Sequence, residues 1–335
     1  MNDSKIPYNL IAEHAGVSVA TVSRCFKQPN LVKGDTLKQI YAAIEDLGGT
    51  APVQRPIITG GERRILAITP ILNNPFYTDI LSGIKGAAEK NGCMLIIMNE
   101  TLSKTNIQSA ARLISQADVH GVILMQRLEQ PVLDYLKERT PIVQCSEFND
   151  DSDVSYVTID NLDATKKLMR YIFSTGKKRI LMVNSDPMCY TYARLRLQGY
   201  KEALEQAGLP YDPDNIITIP DGSFNATVSA VSDMLKNRQA PEVIFCVSDI
   251  MAAAALRACA LEGYRVPADI MIIGFDNVDI SVMTTPNITT VSQPRYDIGF
   301  TACTQLLSMI ANPGKPAQHF IMNTELILRE STDFQ

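Results

Sequence analysis

Apolar positions along this chain follow two rhythms, and the change falls near residue 64. Before it they recur at helical spacing: Ile11, Ala12 and Ala15 share one face of a short helix. Leu37, Ile40, Ile44 and Leu47 share one face of a longer helix that Gly48-Gly49 would stop. From Arg64 onward, short runs that are apolar throughout alternate with amphipathic stretches. The runs are 65–69, 94–98, 122–125 and 142–145, then one from Val157, then 180–183, 216–219, 243–247 and 270–274. Helices are expected near 77–91, 105–117, 131–138, 192–207, 224–237 and 250–263. Strands with no polar alternation must be covered on both faces, so the pattern predicts an α/β fold with two doubly wound parallel-sheet lobes. Residues 49–63 carry Pro and Gly without periodicity and read as a linker. The expected organisation is a three-helix headpiece at 1–48, the linker, and two lobes over 64–335.

Residues 10–26 read as two short helices meeting at a tight turn, a helix-turn-helix pattern. Gly16 can take the left-handed conformation that ends the first helix, Ser18 can cap the second, and Val17 and Val22 would close a small core. The second helix begins Val19-Ala20-Thr21 and carries Ser23 and Arg24. Short side chains there can approach base edges in the major groove, while hydroxyls and a guanidinium take phosphates. DNA binding is the first expectation.

Charge supports this division only mildly. The chain has 335 residues, 46% of them hydrophobic, and a net charge of −5. Residues 1–64 hold a balance of +2, leaving −7 on the rest. A weakly basic head on an acidic body fits a small DNA reader joined to a module with another task. Seven cysteines are scattered singly, with no Cys-x-x-Cys pair, and the three histidines are far apart, so neither a disulfide framework nor a zinc site is expected. No signal peptide and no run of about 18 apolar residues is found. A cytoplasmic protein without cofactor or membrane contact is expected.

In doubly wound sheets ligands bind beyond the carboxyl ends of the strands. Polar residues collect at those ends: Asn73, Glu147, Asp160, Ser248-Asp249 and Asp276. Two lobes facing each other across them would form a ligand cleft, although each carboxylate could instead cap the next helix, as Asp249 is expected to do. A cleft enzyme using Glu147, Asp160 and Asp276 as acid and base is the alternative of a different class. Lobes that serve only dimerisation are a third reading. The Gly-Lys at 176–177 lacks the earlier glycine of a phosphate loop and precedes a strand, and no Gly-x-Ser-x-Gly elbow occurs.

The run Ile-Ala-Glu-His-Ala-Gly-Val-Ser-Val-Ala-Thr-Val-Ser-Arg at 11–24 resembles the N-terminal motif of the lac and galactose repressor family. Segments 157–161, 176–180, 193–200, 272–277 and 326–332 resemble the effector domain of the same family. The resemblance implies a periplasmic-binding-protein-like body that the chain crosses three times, near Asp160–Asn161, Ser292 and Met322–Asn323. Lobe 1 would then take about 64–160 and 293–322, and lobe 2 about 161–292 and 323–335. It further implies a homodimer on double-stranded operator DNA, contacted by Ser18, Val19, Ala20, Thr21, Ser23, Arg24, Lys33 and Ile58. The implied effector-binding residues are Phe76, Tyr77, Glu147, Asp160, Arg196, Phe224, Ser248, Asp276 and Gln293. Segments 146–148 and 293–299 are most like the members that sense a nucleoside, cytidine first, with a sugar or purine as the alternative. Phe76 and Phe224 could stack on a planar ligand. Three departures stand out. Pro52 and Pro56 interrupt the hinge, where Ile58 would be the minor-groove wedge. Lys33 occupies a capping position, leaving that role to Gly34 or Asp35. No leucine heptads follow Arg329.

Overall fold

A computed structural model of the chain describes residues 6–27, 32–47 and 63–332. They form two compact units, split between Glu62 and Arg63.

The first unit holds α1 (Tyr8–His14), α2 (Val19–Lys27) and α3 (Gly34–Asp46). Gly16 sits at φ 64°, the left-handed turn between α1 and α2. The Ser18 hydroxyl accepts from the Thr21 amide at 3.1 Å, so it caps α2. Ile11, Ala12, Val22, Cys25, Leu37, Ile40 and Ile44 form the buried core, with Val17 at its margin. α3 starts at Gly34 with Asp35 in its first turn, and Lys33 just before it is exposed. The expected glycine stop at 48–49, the linker up to residue 62 and Ile58 lie outside the described residues.

The second unit follows the strand–helix alternation, with these elements: β1 (Arg63–Thr69), α4 (Pro75–Lys90), β2 (Cys93–Asn99), α5 (Ile107–Gln116), β3 (Gly121–Leu124), α6 (Gln130–Lys137), β4 (Ile142–Cys145) and β5 (Ser155–Ile159). Next come α7 (Asn161–Ser174), β6 (Ile180–Asn184), α8 (Thr191–Gln206), β7 (Ile216–Thr218), α9 (Phe224–Asn237), β8 (Val243–Cys246), α10 (Asp249–Leu261) and β9 (Met271–Asp276). The last are α11 (Ile280–Met283), β10 (Thr289–Ser292), α12 (Arg295–Ala311), β11 (His319–Met322) and β12 (Glu325–Ile327). Two six-stranded sheets result, in the orders β11-β5-β4-β3-β1-β2 and β12-β10-β9-β8-β6-β7. The chain passes between them after β5, after β10, and between β11 and β12. The central strands are buried along their whole length, as their apolar runs require.

Two strands depart from that pattern. β2 is an edge strand that leaves Met94 and Ile97 exposed, because no neighbour covers its outer side. β12 joins β10 antiparallel, the single antiparallel pairing among the described strands, because the chain enters the second sheet there directly from β11 without a crossover helix.

α12 returns from the second lobe to the first and packs on α4, backbone against backbone. A Cβ on Gly83 would stand 2.0 Å from the Tyr296 carbonyl oxygen, and one on Gly299 2.0 Å from that of Ile80. The two glycines are what let the helices approach. The N-termini of both helices point to the strand ends where polar residues gather.

Candidate ligand cleft and DNA-facing helix

A cavity of about 790 Å³, counting its open mouth, lies between the strand ends of the two lobes. The first lobe contributes Phe76 and Tyr77 at the start of α4, where the Asn74 side chain caps the helix, and Ser146 and Glu147 after β4. The second contributes Ser185, Tyr190, Tyr192 and Arg196 around the start of α8, then Asp221, Ser248 and Asp276. Gln293 lies on the return segment.

Arg196 and Asp276 form the charged floor. Arg196 is 3% exposed; its Nε donates to Asn161 Oδ1 at 2.9 Å, its Nη1 donates to the Val247 carbonyl, and Nη1 stands 3.7 Å from Asp276 Oδ1. Its guanidinium carbon lies 3.5 Å from the centre of the Phe275 ring, a cation–π contact that fixes its plane. Burial lowers the Arg196 pKa, and the Asp276 charge offsets part of that. Asp276 ends β9 and accepts from Gln293 Nε2 at 2.7 Å. Burial pushes its carboxyl up to about 6, against the pull of Arg196 and Gln293. Its backbone is unusual: φ is 108° at Asp276 and 55° at Asn277. A non-glycine residue in such a region costs about 1–3 kcal/mol and persists only where its surroundings fix it.

Glu147 is buried and closes one end of the cleft. Its two oxygens accept from the backbone amides of Thr191 and Tyr192 at 2.9 and 3.1 Å, so a first-lobe carboxylate caps a second-lobe helix. Burial nonetheless raises it to about 7. Phe76 and Tyr77 pack edge to face at 5.4 Å, and Tyr190 and Tyr192 stand 5.4 Å apart, so aromatic rings from both lobes face the same space.

Seven of the expected residues therefore meet in one cavity: Phe76, Tyr77, Glu147, Arg196, Ser248, Asp276 and Gln293. Two do not. Asp160 is exposed and its side chain is spent capping α7, accepting from the Asp163 amide at 2.9 Å. Phe224 opens α9 and is 37% exposed, and the lining from that segment stops at Asp221 and Gly222. The expected cap of α10 is also corrected. Ser248 is the cap, accepting from the Met251 amide, while Asp249 is fully buried and turned toward the Asp276 segment. Tyr190 and Tyr192 were missed; a Tyr-x-Tyr pair opening the helix after an apolar strand was the available signal.

On the first unit, Ser18, Val19, Ala20 and Arg24 are exposed along α2, with Thr21 and Ser23 half-buried. The Thr21 hydroxyl shares a 2.7 Å hydrogen bond with the Ser18 hydroxyl, so the cap fixes how Thr21 is presented on the helix.

A helix-turn-helix unit followed by a two-lobed, cleft-bearing body defines a DNA-binding regulator of ligand-responsive type. Residues 10–48 match the bacterial regulatory proteins of the lacI family, and residues 169–332 match a periplasmic binding protein-like domain. The repressor CytR of Escherichia coli K12 is 33% identical over 96% of this chain and 95% of its own. The repressor PurR of Photobacterium profundum is 28% identical over 96% and 97%. The solved CelR–cellobiose complex superposes with a TM-score of 0.74 at 26% identity, covering 98% of this chain and all of that one. The chain belongs to the lacI family, and it is a ligand-responsive transcriptional repressor of that family. That family consists of regulatory proteins, and no helix among the described residues is long and apolar enough to cross a membrane.

Proposed function

We propose that this repressor acts in the cytoplasm as a homodimer on an operator of approximate two-fold symmetry, and that its effector is a nucleoside, cytidine first. The observation that carries the reading is the pairing of an aromatic wall, Phe76, Tyr77, Tyr190 and Tyr192, with the Arg196–Asp276 floor. A flat base suits the rings, while the guanidinium and carboxylate donate to and accept from ribose hydroxyls and ring nitrogens. The 33% identity to CytR supports the same class. The likeness to PurR and to a cellobiose-bound relative favours a purine or a sugar as the second reading. Exposed Met94 and Ile97 on the first lobe, and Val282 and Met283 on the second, offer apolar side chains to a second copy. The operator would be read by Ser18, Val19, Ala20, Thr21, Ser23 and Arg24, with Lys33 and Ile58 as further contacts.

Calorimetric titration with cytidine, adenosine, ribose and cellobiose tests the effector. The expected result is saturable cytidine binding that Asp276→Asn or Arg196→Ala weakens by roughly tenfold to a hundredfold, the scale of a lost hydrogen bond to a charged group. Binding of a sugar but no nucleoside would replace the first reading with the second.

A further inference from the structure

The left-handed turn at Asp276–Asn277 is gripped from four directions by groups outside the cleft lining. From α10, Asp249 Oδ2 accepts from the Val278 amide at 2.8 Å, and its Oδ1 accepts from the Thr290 hydroxyl at 2.6 Å. From β10, the same Thr290 oxygen accepts from the Asn277 amide at 3.3 Å, and Ser292 accepts from Asn277 Nδ2 at 3.1 Å. After β12, Arg329 Nη2 donates to Asn277 Oδ1 at 2.6 Å, while its Nη1 donates to Ser281 and to the Ile288 carbonyl. From α12, Arg295 donates to the Asp276 carbonyl oxygen and pairs with Asp79. A glycine makes room for the α10 carboxylate: a Cβ on Gly274 would stand 2.2 Å from Asp249 Oδ1.

We infer that Asp249, Thr290 and Arg329 are positioning residues of the effector site, holding the Asp276–Asn277 turn in its left-handed conformation and so fixing where the Asp276 carboxylate stands. This rests on the proposed reading of the cleft as the effector site. None of the three lines the cavity, so each acts through the turn. Their number follows from the geometry: a backbone that ordinary residues avoid stays in place only when several bonds agree on it. Thr290 is the hub, because one hydroxyl links the α10 carboxylate to the turn amide. Arg329 ties the same turn to the last strand.

The test compares Thr290→Val, isosteric but without the hydroxyl, with Thr290→Ser, which keeps it. In ligand-free crystals of the full chain, Thr290→Val should let Asp276 and Asn277 leave positive φ, while Thr290→Ser should retain the turn. In calorimetry with cytidine, adenosine, ribose and cellobiose, Thr290→Val should weaken whichever compound binds the wild type by about tenfold or more, and Thr290→Ser should bind close to wild type. Arg329→Lys keeps the charge but loses the reach to both Asn277 and Ser281; it should behave like Thr290→Val, and it decides the matter if Thr290→Val does not fold. A turn unchanged in Thr290→Val and Arg329→Lys overturns the assignment, whatever their affinities. If no compound binds the wild type, the effector reading fails, and the turn geometry still decides this one.

Discussion

Three buried carboxyls set the behaviour of the cleft at the scale of single residues. Glu147, Asp276 and Asp249 are held at about 7, about 6 and about 8, against ordinary values of 4.5, 3.8 and 3.8, and burial is the main cause in each. A raised acid means that the native chain holds more protons than the unfolded one between the two values. Its stabilising contribution is present at low pH and is lost as pH rises through the native value. Surface carboxylates held low by partners, such as exposed Asp153 and half-buried Glu202, act the other way, but only in the acid range where they titrate. The melting temperature of the ligand-free chain should therefore fall between about pH 5.5 and about pH 8, and Glu147→Gln should flatten part of that slope. A melting temperature that climbs over this window would contradict the burial assigned to these groups. Only part of this chemistry was legible in the sequence. Asp276 was, because it ends an apolar strand, and so was Glu147 after its own. The role of Asp249 was not: a carboxylate at a helix start reads as a cap, and only the tertiary approach of Gly274 shows that the side chain turns inward. Asp160 has the same local pattern as Asp276 and lies outside the cavity, because nothing in a strand end tells which way the next residue faces.

Two contrasts between elements are sharp enough to measure. The α4–α12 contact depends on Gly83, where an added methyl would meet backbone, and not on Gly86, where it would meet the Tyr296 hydroxyl at the end of a movable side chain. Gly83→Ala should destabilise the chain by about 1–3 kcal/mol, overpacking outweighing the better helix propensity of Ala. Gly86→Ala should be neutral or slightly stabilising in the same denaturation experiment, since Tyr296 can swing away. Equal effects would place the contact elsewhere. In the headpiece, Arg24 is exposed on α2 beside short side chains, and in the proposed reading it takes phosphate rather than a base. Arg24→Ala should weaken binding to all duplexes alike and lower the slope of log affinity against log salt by about one. A change in sequence preference at constant slope would make it a base contact instead. The element pattern itself was legible wherever burial is two-sided, as in β3, β4, β8 and β9. It misled at β2, whose apolar run sits at an edge, because composition cannot distinguish a covered strand from an uncovered one.

The whole molecule combines a DNA reader with a cleft whose two walls belong to different lobes. Glu147, Thr191 and Arg194 with Asp150 bridge the lobes on one side, and Arg295 with Asp79 and Asp276 on the other. A ligand touching both walls favours one arrangement of the lobes, and only a difference in its affinity for two arrangements can change DNA binding. In the proposed mechanism, occupancy of the Arg196–Asp276 cleft sets operator affinity. Its most direct measurement is a fluorescence-anisotropy titration of an operator selected from random duplexes, with and without saturating cytidine, on the wild type and on Arg196→Ala. Cytidine should shift wild-type operator affinity by roughly fivefold or more, the lower end of typical allosteric coupling. Arg196→Ala should bind the operator as the free wild type does and ignore cytidine. Equal operator affinity of the wild type with and without a cytidine shown to be bound would contradict this mechanism.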